Sequence, residues 1–113
     1  MYAILGACKH VLAPNADGEI VQTPIFDYQP EQFDTVSKQV LTAFADGSPR
    51  AVLNLDVLQR LDTGAVRGLI LLLRRSREAG GEIALKVTRP ELIRSLHVMA
   101  LDRLFPMIEE MAA

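Results

Sequence analysis

The sequence predicts an α/β domain over residues 1–113, with a mixed central β-sheet, an antiparallel N-terminal edge and about four helices. Hydrophobic residues make up 50% of the 113 positions, which is enough for one core without disulfides or a metal. Beyond residue 30, strand-like segments alternate with segments of helical periodicity. Such alternation is typical of right-handed crossovers between parallel strands.

The first third of the chain is predicted to form a β-hairpin. Two extended segments, residues 7–13 and 19–25, flank Pro14–Gly18, and most residues of that connection favour turns. From Pro30 onward the apolar positions follow a helical period, with Gly47 just beyond the expected end. The stripe predicted to face the core is Phe33, Val36, Val40, Leu41 and Phe44.

The middle of the chain is predicted to hold a long helix between two buried strands. The strands are residues 51–57 and 83–87, and the helix runs over residues 63–79, ended by Gly80-Gly81. A spacing of about 100° per residue divides this helix into two faces. The face predicted to lie against the core carries Val66, Leu69, Ile70 and Leu73.

The last part of the chain is predicted to contain a third long helix and a short strand. Thr88 and Glu91 have the spacing of a capping box, which predicts a helix from there to about residue 100. Residues 101–107 read as a short strand, and residues 108–113 as a terminal helical turn.

Composition excludes several classes of function. A net charge of −2, the absence of Trp and only six Tyr or Phe residues argue against nucleic-acid binding. Cys8 is the only cysteine, so no intramolecular disulfide forms. The longest apolar run, Leu69–Leu73, is far too short to span a bilayer, and we expect no signal peptide. We expect a cytoplasmic protein without membrane insertion.

We find no set of residues that indicates catalysis. His10 and His97 lie on different predicted elements, without a partner at the spacing of a triad or a metal site. Asn54 and Asp56 are two residues apart, but only one of them ionises, which favours a partly exposed strand end over acid–base chemistry. We therefore expect no enzyme activity, no metal and no cofactor.

The junction Asp62-Thr63 is the first candidate site. Asp62 is placed to cap the helix, and a hydroxyl at the first helical position can accept a phosphate there, because the amides of the first turn attract anions. The alternative is that Asp-Thr is simply a common way to begin a helix.

The outer face of the same helix is the second candidate site. It carries Leu71 among basic residues, with Arg67, Arg74, Arg75 and Glu78 around it. An arginine-rich surface around an apolar residue is typical of a protein-binding patch. A single exposed leucine also needs no special explanation, so both readings stay open.

Several segments together resemble the STAS domain, the fold of bacterial anti-sigma-factor antagonists and of sulphate-transporter C-terminal domains. The matching segments are Asp62-Thr63-Gly64, the Leu-Ile-Leu-Leu-Leu-Arg-Arg run at 69–75, Ala79-Gly80-Gly81, Ile83-Ala84-Leu85 and Leu101–Pro106. The resemblance covers about half of the chain well, and it implies a STAS-like fold.

The resemblance also implies a phosphorylation switch. In antagonists of this family, the hydroxyl directly after the Asp is phosphorylated by a serine/threonine kinase that is itself the anti-sigma factor, and the unphosphorylated form binds that kinase. The matching position is Thr63, and Asp27 matches an acidic residue near that site. The residues expected to contact the partner are Asp27, Asp62, Gly64, Arg67, Leu71 and Arg74.

Two related kinds of protein give an alternative. A Thr after the Asp also occurs in stressosome-type STAS proteins and in the small STAS subunit of bacterial phospholipid ABC transporters. The resemblance to these implies a scaffold component or a regulatory subunit that binds a transporter ATPase without phosphorylation. A homodimer stays open as well.

Overall fold

The computed structural model describes residues 2–5, 8–15 and 17–108. Six strands are described: β1 (Tyr2–Leu5), β2 (Cys8–Pro14), β3 (Ile20–Asp27), β4 (Arg50–Asn54), β5 (Glu82–Lys86) and β6 (Met107–Ile108). Three α-helices alternate with the later strands: α1 (Phe33–Ala45), α2 (Thr63–Glu78) and α3 (Pro90–Val98). Short 3₁₀ turns cover Pro30–Gln32 and Leu101–Arg103.

The strands form one sheet in which spatial order follows chain order. The pairs β1–β2 and β2–β3 are antiparallel, whereas β3–β4, β4–β5 and β5–β6 are parallel. The predicted mixed sheet with an antiparallel N-terminal edge is confirmed. Asp27, Asn54 and Lys86, the last residues of three parallel strands, are aligned in register at one edge of the sheet.

The α-helices pack against one face of the sheet. The larger hydrophobic core combines strand residues such as Leu53 with residues of all three helices, among them Val40, Leu69 and Leu96, which are fully buried. The opposite face has a smaller core that contains strand residues only: Val11, Ala13, Ile25, Val52 and Ala84. Alternation along each strand explains this division, since Val52 and Leu53 point to opposite faces.

Several predicted elements differ from the observed ones. Strand β1 was not predicted, and three α-helices are described rather than about four. The expected strand 101–107 is a 3₁₀ turn followed by β6, because Leu101 and Phe105 are both buried at a spacing of four residues. Of the expected terminal helical turn, Ile108 belongs to β6, and residues 109–113 lie outside the described residues.

The predicted capping box at Thr88 is wrong. Helix α3 begins at Pro90, and Arg89 is its N-cap without any side-chain capping bond. Pro90 has no backbone N–H, so its position at the helix start leaves one donor fewer to satisfy. The Thr88 hydroxyl instead donates to Asp56 Oδ2 at 2.8 Å.

The buried face of α2 is also rotated relative to the prediction. The residues buried on it are Ala65, Leu69, Leu72, Leu73 and Ser76. Ile70, expected in the core, is 39% exposed. Ser76 belongs to the buried face although serine is polar. Its burial is possible because the hydroxyl has a partner within the helix: it donates to the carbonyl of Leu72 at 2.7 Å.

Candidate functional site

Thr63 is the first residue of α2 and is exposed to solvent. Asp62 is the N-cap, as predicted, with extended backbone, and its Oδ1 accepts the backbone N–H of Ala65 at 2.8 Å. This bond satisfies one of the donors that a helix start leaves without an intrahelical partner. The arrangement presents a free-standing hydroxyl at the positive end of a 16-residue helix dipole.

Asp56 attaches the connection between β4 and α2, residues 55–62, to the end of β5 and the loop after it. Its carboxylate accepts a hydrogen bond from Lys86 Nζ at 2.6 Å and two from Thr88, from the backbone N–H at 2.9 Å and the hydroxyl at 2.8 Å. Burial alone would raise the pKa of Asp56, but the bonds from Lys86 and Thr88 outweigh burial and hold that pKa below its ordinary value. Asp56 therefore acts as an anion that organises two loops.

Sequence reasoning missed this role of Asp56. We interpreted it as a partly exposed strand end, whereas it follows β4 and joins the segment after β4 to the segment after β5. The usable signal was the polar residues at the ends of two neighbouring parallel strands, Asn54 and Asp56 at the end of one and Lys86 and Thr88 at the end of the next. Parallel strands bring such residues to one edge of a sheet.

Tyr28 ties the end of β3 to the first turn of α2. The side chain is completely buried, and its hydroxyl donates to the carbonyl of Ala65 at 2.7 Å. Burial, together with the smaller effect of the nearby carboxylates of Asp62 and Glu31, raises the pKa of Tyr28 to about 12. The hydroxyl therefore keeps its proton and the bond at any physiological pH.

Asp27, predicted from the resemblance to lie near Thr63, lies at the edge of the sheet where β4 and β5 also end. It is the last residue of β3, is exposed, and accepts a hydrogen bond from Asn54 Nδ2 at 3.0 Å. Its contact is thus with the end of β4, and the connection 55–62 separates that end from Thr63 in the chain.

The outer face of α2 continues from Thr63 as one exposed stripe. Its exposed members are Thr63, Gly64, Arg67, Ile70, Leu71 and Arg74. Ile70 and Leu71 are each 39% exposed, so the stripe has an apolar pair where a single leucine was expected. Residues three or four apart on a helix are neighbours, which makes this stripe a continuous surface along α2.

Arg75 does not belong to this stripe, contrary to the prediction. Its guanidinium lies 5.5 Å from the centre of the Phe33 ring, and Nη1 donates to Ser37 Oγ at 3.2 Å. Arg75 therefore fastens α2 to α1 and is not available to a partner.

A shallow cavity of about 360 Å³ lies beside the start of α2. The connection 55–62 and the segment after β3 form its walls, with Tyr28, Glu31, Leu58, Gln59, Arg60 and Asp62 among the lining residues.

No group of three metal-ligating side chains occurs among the described residues. His97, 70% exposed, pairs through Nδ1 with Asp102 at 2.7 Å. Within the described ranges, no helix is long and apolar enough to cross a membrane.

Comparison with known proteins agrees with this architecture. No curated protein sequence matches the chain significantly. The NMR structure of the protein TM1081 has a TM-score of 0.62 at 18% identity, covering 96% of this chain and 78% of that one. A crystal structure of the protein from Thermotoga maritima, called a "putative anti-sigma factor antagonist", has a TM-score of 0.55 at 18% identity, with coverages of 95% and 83%. At this identity the likeness concerns the fold.

A protein-family model carries the assignment further than the structural likeness does. The model described as "Mlab, STAS domain" matches residues 27–109, which is more than half of the chain. The match includes the capped start of α2, its exposed stripe and the Asp56 network. The chain therefore belongs to the STAS domain family that this model describes.

Proposed function

We propose that this protein is a cytoplasmic anti-sigma-factor antagonist whose α2 stripe docks a kinase-type anti-sigma factor and whose docking is switched by phosphorylation of Thr63. The observation that carries the proposal is the exposed hydroxyl at the capped start of α2, from which the stripe of Arg67, Ile70, Leu71 and Arg74 continues. An apolar centre between arginines is a composition that protein interfaces favour.

In the proposed reaction, the attacking hydroxyl is the one reacting group that this chain supplies. The Thr63 oxygen forms a bond to the γ-phosphorus of ATP held by the kinase, the bond to the β-phosphate oxygen breaks, and ADP leaves. The hydroxyl proton passes to a base of the kinase. The product is stable in place, because the new dianion meets the helix dipole and the first-turn amides of α2.

Phosphorylation should weaken docking for electrostatic reasons. About −1.5 to −2 charges would be added at the end of the stripe, close to the carboxylate of Asp62. The phosphate would also lie one helical turn from Arg67, so that the guanidinium could pair with it rather than with the partner. Both effects remove favourable contacts from the surface that the unphosphorylated form offers.

The proposal is tested by incubating the protein with ATP and a kinase-type anti-sigma factor from the same genome, and mapping the product by mass spectrometry. Phosphate is expected on Thr63 and should be absent from Thr63→Ala. Thr35→Ala is the matched control, because Thr35 is also an exposed threonine in the first turn of a helix. Label that persists in Thr63→Ala contradicts the proposed site.

A second candidate function is supported by the apolar pair. Ile70 and Leu71 offer a docking surface that needs no phosphate, as a regulatory subunit of an ABC transporter or a stressosome-like scaffold would use. Co-expression with a transporter ATPase subunit from the same genome tests this. A complex that purifies intact, is abolished by Leu71→Asp or Arg74→Glu, and never carries phosphate on Thr63 would favour the second function over the first.

A further inference from the structure

We infer that Arg89 and Asp56 are positioning residues, which lock the connection 55–62 against the loop after β5 and thereby fix the orientation of Thr63. The effect on phosphorylation rests on the proposed function. The locking itself does not, and it can be measured on the protein alone.

Arg89 holds the connection through its backbone carbonyls. Nη1 donates to the carbonyl of Leu58 and, at 3.3 Å, to that of Asp56, while Nη2 donates to the carbonyl of Gln59 at 3.3 Å. The side chain of Glu91 orients the guanidinium by accepting from Nε at 2.9 Å. A planar group with several fixed donors suits this task, whereas a lysine ammonium is a single point of charge.

Asp56 holds the same two segments in the opposite sense. Its carboxylate belongs to the connection 55–62 and accepts from Lys86 at the end of β5 and, in the loop after β5, from Thr88 and the backbone N–H of Arg89. Donors at the end of β5 and in the loop after it thus bind the Asp56 carboxylate of the connection 55–62. In the other direction, the Arg89 guanidinium of that loop donates to carbonyls of the connection. Lys86 and Asp56 are each about 15% exposed, so water screens their bond only partly.

The connection has few other constraints of its own. The backbone N–H of Leu55 donates to the carbonyl of Lys86, and that of Leu58 donates to the carbonyl of Leu55. Leu58 and Leu61 are buried at 7% and 8% exposure and anchor the chain to the core. Between these anchors, the carbonyls of Leu58 and Gln59 are fixed by Arg89.

The position of this connection decides where the Thr63 hydroxyl lies. Asp62 ends the connection and caps α2, so a shift of the segment before it is passed on to the first turn. Phosphoryl transfer requires the attacking oxygen in line with the leaving group, and a misplacement of about 1 Å can cost about 100-fold in rate. Arg89 and Asp56 would therefore act through Thr63 and not on the phosphate.

The first test is hydrogen exchange of individual amides in Arg89→Ala, Arg89→Lys and Arg94→Ala. Arg94 is the matched control, an exposed arginine of α3. The Leu58 amide should exchange at least tenfold faster in Arg89→Ala and remain accelerated in Arg89→Lys. It should exchange at the wild-type rate in Arg94→Ala. The amide of Leu69, in the middle of α2, should keep its protection in all three.

An unchanged Leu58 amide in Arg89→Ala would overturn the inference, and so would wild-type exchange in Arg89→Lys, which would reduce the role to charge alone. Faster exchange of Leu69 together with Leu58 would also overturn it, since Arg89 would then stabilise the whole domain.

The second test measures phosphorylation kinetics in the same variants. In Arg89→Ala, kcat for Thr63 should fall by at least tenfold while KM changes less than threefold, and Arg94→Ala should match the wild type. A loss confined to KM would contradict positioning. If wild-type Thr63 is not phosphorylated at all, the proposed function fails, and the Leu58 exchange rate still decides whether Arg89 locks the connection.

Discussion

The hydroxyl of Tyr28 reaches the carbonyl of Ala65 at 2.7 Å, and it does so across Gly68. A Cβ atom at Gly68 would overlap that hydroxyl and would lie 3.2 Å from Cδ1 of Phe33. The bond connects the segment after β3 to the first turn of α2. It is possible because Gly68, inside α2, has no side chain and leaves room for the Tyr28 hydroxyl.

Gly68→Ala should destabilise the protein by about 2 kcal/mol, although alanine usually stabilises a helix interior by about 1 kcal/mol relative to glycine. The clash with Tyr28 decides the sign. Urea denaturation measures the free energy of unfolding. Gly64→Ala is the matched control, because a Cβ there would make only an ordinary contact of 3.6 Å with Asp62 Oδ1.

Adding Tyr28→Phe to Gly68→Ala should recover part of that loss, because it removes the oxygen that the new methyl group meets. Tyr28→Phe alone should cost about 1 kcal/mol for the lost hydrogen bond. Strict additivity of the two free energies in a double-mutant cycle would contradict the contact.

The two glycines after α2 should respond differently to substitution. Gly80 has a φ of +80° with open space around it, so Gly80→Ala should cost about 1 kcal/mol of backbone strain. A Cβ on Gly81 would lie 2.6 Å from three atoms of the Phe44 ring. Gly81→Ala should therefore cost more than Gly80→Ala in thermal unfolding, and Phe44→Leu in the same chain should reduce the difference. Equal losses at both positions would count against the contact with Phe44.

Asp56→Asn should change the dependence of stability on pH. The folded protein holds the pKa of Asp56 below the ordinary value of 3.8, so the carboxylate stabilises the fold above that pH. This contribution is lost as pH falls through the folded pKa. The stability of wild type over Asp56→Asn should thus be largest near pH 6 and shrink below about pH 4. Urea denaturation at both pH values tests this, and a difference that grows in acid would contradict the sign.

The architecture was largely predictable because its signals are local. Local conformational preferences mark the ends of several elements and do not depend on tertiary contacts. The residues concerned are the turn formers at Pro14–Gly18, the Asp62 cap and Gly80-Gly81. The failures were tertiary. Thr88 bonds to Asp56, 32 residues away, instead of capping α3, and Ser76 is buried where a polar residue suggested exposure.

Only the local features of the candidate site were predictable from the sequence. The Asp62 cap and the exposure of Arg67, Leu71 and Arg74 followed from helix geometry, whereas Ile70 and Arg75 were each assigned to the wrong face of α2. The hold of Arg89 on Leu58 and that of Tyr28 on Ala65 join residues 31 and 37 positions apart. Such contacts depend on strand register, which periodicity alone does not fix.

Leu71→Asp should abolish binding of the partner while leaving the fold intact, because Leu71 is 39% exposed and lies in the centre of the α2 stripe. A carboxylate there would be desolvated in the interface. Val98→Asp is the control, since Val98 is 81% exposed on α3, outside the stripe. Calorimetric titration with the purified partner measures both. Equal losses from the two variants would show that the stripe is not the docking surface.

The most direct measurement compares the affinity of the proposed partner, an anti-sigma factor, for unphosphorylated protein and for protein stoichiometrically phosphorylated on Thr63. The dissociation constant should rise by about 10- to 100-fold on phosphorylation, equivalent to about 1.4 to 2.7 kcal/mol. Thr63→Asp should shift it in the same direction by less, because one carboxylate carries less charge than a phosphate. Equal affinities for the two forms would contradict the switch at the start of α2.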